Sequence, residues 1–267
     1  MAASEGVDLE WAIVEVLNGT KPSRAYSEKI KKQASKCVEH IKKFAGPAAV
    51  KAWHSDDASN PTGKAIFAKP EPKTDIILKI GPKVYFVSVK MEGGVQLASG
   101  QGSSTAELFE AAASQIKSPS KSKVLNSIIK ELRNLPTRML SASNQKRVMS
   151  EGSDKVIKEF IKGGKIITDK SYDFWLKNNK QQLMAALLDY LEKDLDFKSA
   201  LLKESMSGNI TLKQYKGAPA DSLISPKGFH IINDSYVKSI FNKVKFDIRG
   251  KSRSGITGIA FRIDLRQ

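Results

Sequence analysis

Cysteine occurs once in the 267 residues and histidine three times. Cys37 has no partner to oxidise with, so a reducing, cytoplasmic setting is expected. His40, His54 and His230 are not spaced as ligands on one helix or loop, which with the single cysteine excludes a zinc finger or a Cys/His catalytic pair. Long apolar runs are also missing. None approaches the roughly 18 to 20 residues that a spanning helix needs, so no membrane partner is expected. The first ten residues carry Glu5, Asp8 and Glu10 and no continuous apolar stretch, and are read as neither a secretion signal nor a transit peptide. Acid is scarce as well: 28 Asp and Glu stand against 44 Lys and Arg, a net charge of +16. That excess points to a polyanion, with nucleic acid ahead of an anionic membrane surface.

What is present is a core and a clear order of elements. Forty per cent of the residues are hydrophobic, enough for one large domain or a core with a second lobe. Residues 8–17 place Leu9, Ala12, Ile13, Val16 and Leu17 on one helical stripe and stop at Asn18-Gly19. Residues 27–45 repeat Ile30, Ala34, Cys37, Val38, Ile41 and Phe44 at helical steps, with six lysines largely off the stripe. Gly46-Pro47 ends that helix. Residues 55–72 read as a loop. Residues 74–80 and 84–91 read as a β-hairpin around Gly81-Pro82-Lys83. Helical patterns follow at 105–116, 124–132, 154–161, 172–191 and 197–206, and strand-like runs at 210–214, 228–232, 244–249 and 256–264. The expected class is α/β (α+β) with a mixed sheet, divided as an α/β core (1–118), a helical region (119–209) and a β-rich tail (210–267).

The hairpin carries the chemistry. With Pro82 and Lys83 at its tip, Gly81 lies opposite Val84 and Asp75 opposite Lys90. Asp75, Ile77 and Lys79 then share a face with Phe86, Ser88 and Lys90, while Ile76, Leu78, Ile80, Tyr85, Val87 and Val89 take the other. An acid, a hydroxyl and an amine gathered at the open end suit phosphodiester hydrolysis. The carboxylate would hold a divalent cation, and the lysine would stabilise the developing negative charge.

These residues resemble the PD-(D/E)XK nuclease superfamily, the fold of restriction endonucleases, junction resolvases and phage exonucleases. That family sets an Asp at the start of one strand and a Glu/Asp-X-Lys triplet on the next. The resemblance spans residues 28–116 and implies a restriction-endonuclease-like core with Mg²⁺ or Mn²⁺ as cofactor. It departs from the pattern in two places: the triplet is Ser88-Val89-Lys90, and the preceding proline is Pro72, three residues before Asp75. Members with Ser-X-Lys draw the missing acid from the following helix, which nominates Glu107, with Glu110 one turn later. Acids of the leading helix also complete such sites, which adds Glu28 as a remote candidate. Gln96, six residues after Lys90, is similar to the Gln that follows the lysine in exonuclease-like members. The Gly- and Ser-rich run beyond Lys90 is reminiscent of phage-encoded proteins of this type, which would place the protein in a host cytoplasm.

Each residue also has a structural alternative. Asp75 and Lys90 can form a cross-strand ion pair contributing roughly 0.2 to 1 kcal/mol. Ser104 and Glu107 have capping-box spacing, and Glu92 can be a solvated strand-end acid. The glycines at 93, 94, 100 and 102 are not followed by Gly-Lys-Ser/Thr, so no phosphate-binding loop is formed. Arg249, Lys251 and Arg253 are read as a basic loop between two strands, able to straddle phosphates or to stand solvated. The expected function is a divalent-metal-dependent deoxyribonuclease; the alternative is a non-catalytic DNA- or RNA-binding or virion-associated structural protein. Homodimerisation is an expectation from the resemblance alone.

Overall fold

The structure, a computed structural model, describes residues 5–63, 65–66, 73–92, 95–116, 123–134, 139–140, 179–211, 218–253 and 256–266. The helix expected at 154–161 and the first part of the 172–191 pattern lie outside them. The fold is α+β. In chain order the elements are α1 (Glu5–Asn18), α2 (Glu28–Ala45), β1 (Val50–His54), β2 (Ile76–Ile80), β3 (Lys83–Val89), β4 (Val95–Gln101), α3 (Gly102–Ser114), α4 (Lys123–Arg133) and β5 (Met139–Leu140). They continue with α5 (Gln181–Lys193), α6 (Leu195–Ser207), β6 (Ser222–Ser225), β7 (Gly228–Ile231), α7 (Asp234–Ser239), β8 (Val244–Arg253) and β9 (Ile256–Leu265).

Two compact units divide the chain, and neither is continuous in sequence. The first comprises Met1–Leu97, Leu202–Val244 and Asp264–Gln267; the second comprises Ala98–Leu201 and Lys245–Ile263. The first unit is built on a five-stranded sheet in the order β1-β2-β3-β6-β7. Its neighbours are antiparallel except β3 and β6, which run parallel with Val87 opposite Ser222 and Val89 opposite Ile224.

Amphipathic sequence explains how α1 and α2 cover this sheet. Ser27 caps α2, its hydroxyl accepting from Ile30 N–H, and Ile30, Ala34, Cys37, Val38 and Ile41 point inward at three- and four-residue steps. They join Leu9, Ala12 and Ile13 of α1 and Ala52, Ile76, Leu78, Ile80, Val87, Val89 and Ile224 of the sheet in one core. Burial of each large aliphatic side chain contributes roughly 1.5 to 3 kcal/mol.

The hairpin register differs from the sequence expectation. Ile80 pairs with Lys83 and Ile76 with Val87, so the two-residue loop is Gly81-Pro82 and the strands are shifted by two. Gly81 has φ +55, which suits the first position of a tight hairpin loop, and Pro82 supplies a fixed negative φ at the second. A shift of two preserves the faces. The register extends to put Asp75 opposite Ser88, not Lys90.

Other local expectations are corrected. Of the strand expected at 210–214, residues 212–214 lie outside the described residues; Asn209 to Thr211 form a turn, in which the buried Glu204 carboxylate accepts from the N–H groups of Ile210 and Thr211. Arg249 to Arg253 belong to β8, since pairing with β9 extends the strand past the weak β-formers Gly250 and Ser252. α3 starts at Gly102, so Ser104 and Glu107 lie inside its first turns and form no capping box. β1, β4, β5, β6 and α7 carry no element in the sequence reading. The second unit has its own core, where Phe109 packs on Phe197 and Phe261 with ring centres 5.8 and 5.3 Å apart.

Candidate functional site

β1 ends, β2 begins and β3 ends on the same side of the first sheet, at the strand ends, and there the backbone delivers three side chains. Asp75 precedes β2. Its N–H donates to Val87 O at 2.9 Å and its carbonyl accepts from Ser55 N–H at 3.0 Å, which ties it to both neighbouring strands. The side chain turns onto the end of β3: Oδ2 accepts from Val89 N–H at 2.6 Å and from the Ser88 hydroxyl at 3.1 Å. Oδ1 accepts no hydrogen bond from the described residues. Lys90 continues from β3, with its N–H bonded to Ile224 O of β6 at 2.8 Å. Among the described residues no carboxylate lies within ion-pair distance of its ammonium.

Electrostatics make this a strained place for a carboxylate. Burial pushes Asp75 up to about 6 from the ordinary 3.8, and the Glu10 charge adds to the rise. The Lys90 ammonium and the hydrogen bonds from Val89 and Ser88 oppose it. Glu10 enters from α1 and is held by His54 at the end of β1, whose Nε2 donates to Glu10 Oε2 at 3.0 Å. His54 Nδ1 meets Asp56 Oδ1 at 2.5 Å, and the ring stacks on Trp11 at 4.5 Å with the planes 8° apart. Burial lowers the affinity of His54 for a second proton, but the two carboxylates outweigh it and hold the imidazole above its ordinary value.

The sequence candidates are distributed as follows. Asp75, Ser88 and Lys90 come together. Gln96 is exposed on β4 and makes no hydrogen bond to them. Glu28 does not join them either: its side chain is 89% exposed and pairs with Lys31 at 2.7 Å. Glu107 is partly buried on α3 in the second unit, and Glu110 pairs with Arg133 at 2.6 Å. Glu92 pairs with Lys36 at 3.6 Å, and its N–H donates to Gln33 Oε1.

Glu10 is the residue that sequence reasoning misses. Its only local signal is a position beside the buried stripe of Leu9 and Ile13, where an acid is normally turned to water. The chain matches no family model, no curated protein and no solved structure.

Carboxylate oxygens are the kind of ligand a hard divalent cation takes. Two carboxylates of different elements act on one another, and one oxygen of Asp75 is left without a hydrogen bond. Among the described residues no three His, Cys, Asp or Glu side chains are arranged to hold a metal. Mg²⁺ is commonly held by one or two carboxylates, with water and substrate phosphate completing its octahedron. No described helix is long and apolar enough to cross a membrane.

Proposed function

We propose that the protein is a divalent-metal-dependent nuclease that hydrolyses phosphodiester bonds of DNA. The observation that carries this reading is the convergence at these strand ends of Asp75, raised to about 6 partly by Glu10, with Lys90 acting on the same carboxyl. Asp75 just before β2 and Ser88-Val89-Lys90, which runs off the end of β3, support this reading through their resemblance to the Asp and the triplet of the PD-(D/E)XK superfamily. Glu10 from α1 replaces Glu28 as the leading-helix acid, and supplies the negative charge that Ser88 does not.

Asp75 and Glu10 would hold Mg²⁺ or Mn²⁺. When bound, such an ion lowers the pKa of a coordinated water and neutralises charge on a phosphate. Ser88 and Val89 N–H fix Asp75 Oδ2, so the free Oδ1 is the oxygen presented. Lys90 carries the positive charge that stabilises the pentacovalent phosphate. The net charge of +16 favours a phosphate backbone as partner.

A supercoiled-plasmid nicking assay with Mg²⁺ or Mn²⁺ tests the reading. Wild type is expected to nick, and Asp75→Ala and Lys90→Ala to lose on the order of 10² or more in rate. Equal cutting by Asp75→Ala overturns it. One observation favours a second reading, a nucleic-acid-binding or virion-associated protein without turnover: Ser88 stands where the superfamily has a carboxylate. That reading predicts salt-sensitive binding and no cutting with either ion.

A further inference from the structure

His54 is a buried histidine whose two ring nitrogens both face carboxylates, Asp56 at 2.5 Å and Glu10 at 3.0 Å. A carboxylate accepts, so Nε2 donates to Glu10, while Nδ1 is bracketed by Asp56 alone, through its carboxylate and its backbone N–H at 3.4 Å. The ring cannot turn away easily, because Trp11 lies flat against it at 4.5 Å and Arg24 covers Trp11 at 5.3 Å. Trp11 and Glu10 are adjacent on α1, so the same turn of helix supplies the ring that clamps His54 and the carboxylate that His54 grips. The backbone of His54 is fixed in turn, since it lies opposite Ile76 in the β1–β2 ladder, one residue from Asp75.

We propose that His54 is a positioning residue that orients Glu10 toward the cation held by Asp75, with Asp56 locking the ring from the outside. The proposal rests on the metal-dependent reading above. A hydrogen bond to Glu10 Oε2 leaves Oε1 as the oxygen available to an ion, which parallels the way Ser88 and Val89 occupy one oxygen of Asp75. Both carboxylates would then be presented through one oxygen each. Partners of this outer kind typically change metal affinity by 10- to 100-fold when removed.

Mn²⁺ affinity of the full chain, measured by titration calorimetry or by electron paramagnetic resonance without nucleic acid, is the test. His54→Phe keeps a ring against Trp11 and removes both ring nitrogens; it is expected to weaken Mn²⁺ binding about tenfold or more. Glu10→Gln is expected to weaken it comparably, and the double variant no more than Glu10→Gln alone, because both changes remove one arrangement. If the two losses multiply, or if His54→Phe binds Mn²⁺ as wild type does while Asp75→Asn does not, the positioning role is overturned and the metal site stands. If wild type binds no Mn²⁺, the metal reading falls and this inference with it. Should His54→Phe fail to fold, Asp56→Ala at the half-exposed outer partner decides. Several-fold weaker Mn²⁺ binding is expected there, and unchanged binding refutes the proposal.

Discussion

Asp75 and Ser88 stand opposite one another across the β2–β3 hairpin, and the Ser88 hydroxyl donates to Asp75 Oδ2 at 3.1 Å. This bond favours the ionised acid against a burial that disfavours it. In Ser88→Ala the Asp75 pKa therefore rises further above about 6. A hydrogen bond to a charged group contributes roughly 1.5 to 3 kcal/mol, so the acid limb of a nicking pH profile is expected to move about one unit higher or somewhat more. Cutting at pH 9 is retained. An acid limb that does not move disconnects Ser88 from the ionisation of Asp75.

Replacing Asp75 by Asn removes an ionisable group that the fold holds unfavourably. Its folded pKa of about 6 lies above the ordinary 3.8, so the penalty is absent below pH 3.8, grows as pH rises, and is complete above about 6. Asp75→Asn is expected to be more stable than wild type at pH 8 by up to about 3 kcal/mol, at roughly 1.4 kcal/mol per pH unit of displacement, with the gain vanishing near pH 4. His54 titrates at higher pH. Its folded value exceeds 6.5, so its favourable contribution is whole below 6.5 and fades as pH rises through that folded value. Thermal melts across pH 4 to 9 check both. Added Mn²⁺ should raise the melting temperature of wild type and not of Asp75→Asn.

Lys32 is exposed on α2, beside Gln33, whose Oε1 accepts from the N–H of Glu92. Its neighbours Lys29, Lys31 and Lys36 each have an acidic partner, whereas Lys32 has none among the described residues. Lys32→Glu is expected to weaken DNA binding whatever the sequence, and to reduce the slope of log affinity against log salt by about one or two. Fluorescence anisotropy at graded salt measures it; an unchanged slope removes this face from the DNA path.

Gly81→Ala places a side chain at φ +55, where L residues pay roughly 1 to 2 kcal/mol. Urea unfolding should show that loss. The proposed metal site lies at the far end of the hairpin, so Mn²⁺ affinity should change little if the register holds. A large fall in affinity would show that the loop, rather than the ladder with β1 and β6, sets the position of Asp75.

Much of the first unit was legible because its signals are local. Ile30, Ala34, Cys37, Val38 and Ile41 repeat at helical steps, and Ile76, Leu78, Ile80, Val87 and Val89 alternate, so the faces of α2 and the hairpin that meet in this core follow from period, whereas the burial of Ile77 and Ser88 on the opposite face does not. The pairing of strands was less legible. Placing Pro82 at the first turn position is reasonable for an isolated turn, but it leaves Gly81 in a strand, where its tolerance of positive φ has no use. β4 is hidden in a run of glycine and serine, and β6 is only four residues long, too short for its period to stand out.

Asp75, Ser88 and Lys90 were marked by the sequence alone, since side-chain parity along two adjacent strands survives an error of two in register. The basic character of α2 and the lack of a long apolar span were determined there too. Only the tertiary structure decided which acid acts on Asp75. Glu10 acts on it because α1 packs against β1, where His54, stacked on Trp11, holds its carboxylate. Nor does any local pattern say that β6, more than 130 residues after β3, returns to lie parallel to it and anchors the backbone of Lys90. Contacts across such separations depend on which faces can be buried together, a property of the whole chain that no single window of sequence contains.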